Sequence, residues 1–312
     1  MPFLPNSPLL GYWVHNIPPF IFEISPGVGP RWYGLAYVFG FLLLWLGLHY
    51  QAKRGWSILR GEHITDFVTW MALLGVMTGG RIAYCLLYDF PRTAANPLSI
   101  IGFGPGGWHG IAGMASHGGI AGAILVIYFY ARAYKIPFYN LADAAALVTP
   151  LALGFGRLAN FINGELWGRP TTVPWAVIFP AAGDGIPRHP SQLYQAGLEG
   201  FLLFFILWYI REHTKRQGVV ALSFMGGYAI MRIIGECFRQ PDAQINYYFG
   251  FITQGQILSF IMLAATIVLA WLEFRPSAAK AGAGASGTAS SSKPAEIPPV
   301  PASPQAPGQK AS

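Results

Sequence analysis

The run ILSFIMLAATIVLAWL, residues 257–272, decides what kind of fold this chain adopts. It carries no charge from end to end, and a lipid hydrocarbon core is crossed by about 20 mostly apolar residues in a helix. Two further runs repeat the pattern, LAYVFGFLLLWLGL (35–48) and GFLLFFILWYI (200–210). Neither alternates apolar with polar residues, as a half-buried strand would. The composition agrees. The 312 residues are 53% hydrophobic and 11% charged, where a soluble domain carries about 25% charged residues. The chain reads as an all-α polytopic membrane protein.

Extending the same reading along the chain gives seven transmembrane helices, at 32–50, 64–88, 116–134, 142–160, 191–210, 218–238 and 252–272. The segment 142–160 is rich in Ala and Gly and contains Pro150. It is kept because small residues let helices pack closely in lipid. Residues 1–275 form one membrane domain. Residues 276–312 are Ala, Ser, Gly and Pro with scattered Lys. Such a tail buries too little apolar surface to fold and is expected to be disordered. Of the 20 Lys and Arg, twelve fall on the inner side if the N-terminus is outside, five fall on the outer side, and Arg81, Arg157 and Arg232 lie within spans. Basic residues collect on the cytoplasmic side, so the N-terminus is expected outside and the C-terminus inside. The net charge of +7 is explained by these loops and calls for no nucleic-acid partner. The two cysteines, Cys85 and Cys237, lie in apolar surroundings and provide no disulfide framework. No basic region precedes the first apolar stretch, so no cleaved signal peptide is expected. The long outward segments, about 89–115 and 161–190, are Gly/Pro-rich and aromatic and would form a small head.

Charged side chains inside spans are costly and mark pairs, pathways or sites. Tyr228, Arg232, Glu236 and Arg239 fall on one face of the sixth span. Arg157 and Asn160 end the fourth span, with Glu165 and Gly168 just beyond. His117 opens the third span, and Arg31, Trp32 and Tyr33 open the first. All lie in the outer third of the membrane. Arginines at that depth suit the phosphate of an anionic lipid headgroup, because the guanidinium fork donates parallel hydrogen bonds. Arg232 and Glu236 could instead simply pair along the helix. Arg81 reads as structural, snorkelling outward. His117 reads equally as a packing histidine beside Gly118 and Gly119 or as a functional group.

The stretch GRLANFINGELWGR (156–169) closely resembles the signature of bacterial prolipoprotein diacylglyceryl transferases. RWYGLAY (31–37), SHGG (116–119), RHPSQLYQ (188–195) and GECFRQPDAQ (235–244) agree in order, so the resemblance covers nearly all of 20–274. It implies an enzyme of the bacterial inner membrane with its site toward the periplasm and the outer leaflet. It implies transfer of the diacylglyceryl group of phosphatidylglycerol to the lipobox cysteine of a prolipoprotein signal peptide, giving a thioether and glycerol phosphate, the first step of lipoprotein maturation. Its functional positions fall on Tyr33, His117, Arg157, Asn160, Glu165, Gly168, Tyr228, Arg232 and Glu236. His117, Arg157 and Arg232 are then the catalytic candidates. Arg157, Asn160, Arg232, Tyr228 and Tyr33 would bind phosphatidylglycerol, and Glu165, Gly168, Glu236 and Arg239 would support them. No metal or cofactor is expected. Gln195 stands where the family pattern calls for Glu, and nearby Glu199 is a candidate replacement. The alternative class, a lipid transporter, calls for a polar path through both leaflets or inverted repeats, and the sequence shows neither.

Overall fold

The computed structural model describes residues 11–25, 29–104, 107–108, 113–241 and 252–275, without the side chains of Trp108, Ser116 and His117. The expected tail, 276–312, lies outside them. Among the described residues the long helices are α1 (Trp32–Lys53), α2 (Glu62–Leu87), α3 (Ser116–Ala133), α4 (Phe138–Ile162), α5 (Ser191–His213), α6 (Val219–Glu236) and α7 (Gln254–Phe274). All but α3 are long and apolar enough to cross a membrane. The chain is mostly helical and has the character of a polytopic membrane protein. Helix α3, at 18 residues, is shorter. At about 1.5 Å per residue it reaches about 27 Å, just under the hydrocarbon thickness of about 30 Å. The helix ends lie within a few residues of the bounds read from the sequence, and the Ala/Gly-rich segment around Pro150 is one continuous helix. Large apolar side chains such as Phe205, Phe129 and Ile261 are exposed, as lipid-facing residues are.

The chain divides into two compact units, whose described parts are 11–47 with 143–275, and 48–142. In the first, helices touch through residues too small to hold them apart. Gly40 and Gly47 of α1 meet Ala152 and Val148 of α4. A Cβ added to Gly200 of α5 would stand 2.6 Å from the Cα of Gly154 and 3.3 Å from the carbonyl oxygen of Pro150 on α4. Helix α5 contains a π-helical stretch, Ala196–Leu202. Helix α6 begins at Gly218, whose N–H, with that of Ala221, donates to the buried carboxylate of Asp143 on α4 at 2.8 and 2.7 Å. Helix α7 starts with a capping box, in which Thr253 and Gln256 each accept from the other's backbone N–H.

Strands β1 (Trp13–Val14), β4 (Val177–Ile178) and β5 (Pro187–Arg188) form a small sheet in this unit. β1 lies parallel to β4, and β4 antiparallel to β5. The sheet seats His15 on an aromatic cluster of Phe161, Phe179 and Trp13.

In the second unit α2 and α3 are in backbone contact. A Cβ on Gly122 would lie 2.1 Å from the carbonyl oxygen of Gly75, and one on Gly118 would lie 2.3 Å from that of Gly79. Gly118 thus brings the helices together, while Gly119 has ordinary clearance. The segment between α2 and α3 includes a short hairpin, β2 (Phe103–Gly104) with β3 (Gly107–Trp108). Arg81 donates inward to the carbonyls of Ser99, Ile100 and Gly113. It is structural, as the sequence implied, but it ties down the following loop rather than snorkelling.

Candidate active site

Three helices of the first unit converge on one buried carboxylate. Glu199 sits in the π-helical stretch of α5 with no solvent-exposed surface. Its Oε2 accepts from Arg157 Nε at 3.2 Å and Nη2 at 3.0 Å. Its Oε1 accepts from Arg232 Nη1 at 3.3 Å. Arg232 also donates to Glu236 at 3.4 Å, and Arg239 donates to the same Glu236 oxygen at 3.0 Å. Tyr228 stands one turn before Arg232 on α6. The glycines explain the convergence. Gly154 and Gly200 bring α4 onto α5 beside Arg157 and Glu199. On α6, a Cβ at Gly235 would lie 3.6 Å from Glu199 Oε1. The first turn of α7 leaves room for the Glu236 carboxylate only because residue 255 is glycine.

Nothing in the sequence around Arg157 or Arg232 names a carboxylate that the two share. The structure supplies one: both are paired through Glu199. A buried carboxylate between two guanidiniums is tolerable where the same group alone would not be. Three arginines and two glutamates leave this cluster with one net positive charge.

The end of α4 passes into a tightly bonded loop. Buried Asn160 donates through Nδ2 to Glu165 at 2.7 Å. The Glu165 carbonyl accepts from Gln192 of α5 at 2.6 Å, and the Leu166 carbonyl accepts from Ser191. Glu165 was expected to hold an arginine, and its carboxylate is hydrogen-bonded to Asn160 instead. Gly168 is required by packing. A Cβ there would lie 2.4 Å from the His189 carbonyl oxygen and 2.7 Å from that of Phe238. Its N–H donates to the first of these, and Arg169 donates to the second through its N–H and to the Arg239 carbonyl through Nε. Gly168 and Arg169 thereby lock the loop after α4 to the end of α6.

Tyr33 stacks edgewise on Tyr37, one turn along α1. Gln195 is buried against Gly235, and its Nε2 has no partner among the described residues. His117 belongs to the second unit, at the first turn of α3, and its side chain lies outside the described residues. Outside the spans, burial lowers the pKa of His15, whose Nε2 has no partner among the described residues, and that of His189. Burial works to raise that of Asp184, but the Ile186 N–H and the Arg188 guanidinium outweigh it and hold the carboxyl below its usual value.

Glu199 is the residue that reading the sequence undervalued. In the sequence it stands out only as a candidate replacement for the carboxylate missing at 195. The available signal was a lone acidic residue in an apolar run, which must find a cation on another helix.

A family model described as prolipoprotein diacylglyceryl transferase matches residues 19–272. The chain belongs to this family. Among relatives named phosphatidylglycerol–prolipoprotein diacylglyceryl transferase, that of Vibrio vulnificus (strain YJ016) is 46% identical over 259 residues, covering 82% of this chain and 92% of the relative. That of Legionella pneumophila (strain Lens) is 42% identical over 257 residues, covering 82% and 97%. That of Shewanella sp. (strain ANA-3) is 46% identical over 234 residues, covering 75% and 84%. The match spans both helical units, so the Arg157–Glu199–Arg232 cluster lies within the part of the chain that belongs to the prolipoprotein diacylglyceryl transferase family.

Proposed function

We propose that this chain transfers the diacylglyceryl group of phosphatidylglycerol to the lipobox cysteine thiol of a prolipoprotein, the first step of bacterial lipoprotein maturation. Family membership supplies the reaction class. The observation that carries the site is the pair of guanidiniums, Arg157 and Arg232, held together within an apolar helical unit. Arginine donors in a low-dielectric site stabilise charge that develops on a leaving oxygen. In the reaction the carbon–oxygen bond between the glyceryl group and phosphate breaks as the carbon–sulfur bond forms. The phosphate keeps the electron pair and leaves as glycerol phosphate. The thiol proton passes to a base, for which His117 is the candidate by residue type. A thiol with a pKa of about 8.5 needs only a modest base near neutrality. Tyr228, Asn160 and Tyr33 orient the headgroup. Glu236 and Arg239 steady Arg232, while Glu165 and Gly168 hold the loop after α4.

The seven helices α1–α7 all span the inner membrane in this reading, with the N-terminus and the β1–β4–β5 sheet periplasmic and the tail at 276–312 cytoplasmic. The surplus of Lys and Arg in the opposite loops supports that orientation.

The test is transfer from labelled phosphatidylglycerol to a lipobox peptide by purified protein. Wild type is expected to modify the peptide. Arg157→Ala is expected to abolish transfer while the protein still inserts, because Glu199 keeps Arg232 as a partner. Full activity in Arg157→Ala would overturn the phosphate role. Lipid movement between leaflets without peptide modification would favour a transporter.

A further inference from the structure

Glu199 does more than neutralise buried charge. Each of its carboxylate oxygens serves a different arginine, so one rigid group spaces two guanidiniums carried by α4 and α6. It is fully buried, and the Gly154–Gly200 contact fixes the backbone next to it. It also decides the charge of the site. With Glu199 ionised the five-residue cluster carries one positive charge, and without it two.

That difference matters because substrate and product differ in the same way. Phosphatidylglycerol is a phosphodiester with a single negative charge. The glycerol phosphate released is a monoester, whose second pKa of about 6 leaves it close to doubly charged at neutral pH. A site with two positive charges would hold the product more tightly than the substrate and release it slowly. We propose that Glu199 is a positioning residue that matches the site's charge to a phosphodiester and thereby limits its grip on the phosphomonoester that leaves. The inference rests on the transferase reading above. It assigns Glu199 no contact with the lipid, since it acts through Arg157 and Arg232.

The experiment compares wild type, Glu199→Gln and Glu199→Asp, purified in detergent. It measures kcat, KM for phosphatidylglycerol and inhibition by glycerol phosphate. Glu199→Gln keeps the shape and removes the charge. Its inhibition constant for glycerol phosphate is expected to fall about tenfold, a change of about 1.4 kcal/mol. Its KM should fall less, and kcat should drop as release becomes limiting. Glu199→Asp keeps the charge and shortens the reach, so kcat should drop while product inhibition stays at the wild-type value. A purely structural role would lower the folded yield without tightening product binding. The proposal is overturned if Glu199→Gln leaves glycerol phosphate inhibition unchanged or weaker. If that variant does not insert, a shifted inhibition constant in Glu199→Asp overturns it and an unshifted one supports it. Absence of transfer by wild type would instead sink the functional reading itself.

Discussion

At the scale of single residues, the polar groups inside the spans were legible because lipid makes each of them conspicuous. Arg157, Arg232, Glu236 and Arg239 were singled out from depth and helical phase, and the structure joins all four in one network. Their partners were harder to see. Which carboxylate meets Arg157 depends on how α4 and α5 are aligned, and no spacing within a single helix encodes that. Glu165 shows the reverse case. It reads as a support for the arginines, yet the loop turns its carboxylate onto Asn160. The role of His117 is separable by pH. His117→Gln is expected to reduce transfer and to remove from the rate profile the inflection of the group that takes the thiol proton. An unchanged profile with retained activity would move proton removal elsewhere.

Among the helical elements, long apolar runs were readable from composition alone, because span length is set by the bilayer and not by neighbours. The three-stranded sheet was not. β1 and β4 are two residues each and pair across more than half the chain, so neither carries a periodic signal. Nor do the π-helical stretches Met71–Thr78 and Ala196–Leu202 announce themselves. The packing of α4 on α5 can be tested with the two glycines of GLEG (197–200). Gly200 has no room for a methyl group, whereas a Cβ at Gly197 meets nothing within 4 Å. Overpacking a close contact costs about 1–3 kcal/mol. Gly200→Ala is therefore expected to lower the thermal midpoint in detergent and to reduce transfer, because it pushes Glu199 off Arg157. Gly197→Ala should match wild type in both measurements. Equal behaviour of the two variants would mean that the helices do not depend on this contact.

For the whole molecule, the response to acid follows from two histidines of the first unit, buried His15 and half-buried His189. His15 and His189 both have pKa values lowered by burial. Between those folded values and the ordinary value of about 6.5, the unfolded chain binds more protons than the folded one, so stability rises with pH through this window. Their contribution is fully present above about pH 6.5 and is lost as pH falls toward the folded values. Asp184, also lowered, acts in a separate window, at and below about pH 3.9. Thermal unfolding in detergent should therefore show a lower midpoint at about pH 5.5 than at about pH 7.5. His15→Phe, which preserves the aromatic packing and removes one titrating group, should narrow that gap. A midpoint that rises on acidification would contradict this account.

The hydrogen bonds of Asp143 carry a consequence for how a lipid reaches the arginines. Asp143, near the start of α4, accepts from the first residues of α6. Some 14 residues on, or about 21 Å at helical rise, Arg157 and Arg232 on the same two helices meet again through Glu199. The two helices are thus rails running in one direction, with a rung at each end. Such a ladder does not gape. Under the proposed function, a two-tailed lipid comes alongside this ladder and its headgroup meets the rung formed by Arg157, Glu199 and Arg232 from the flank.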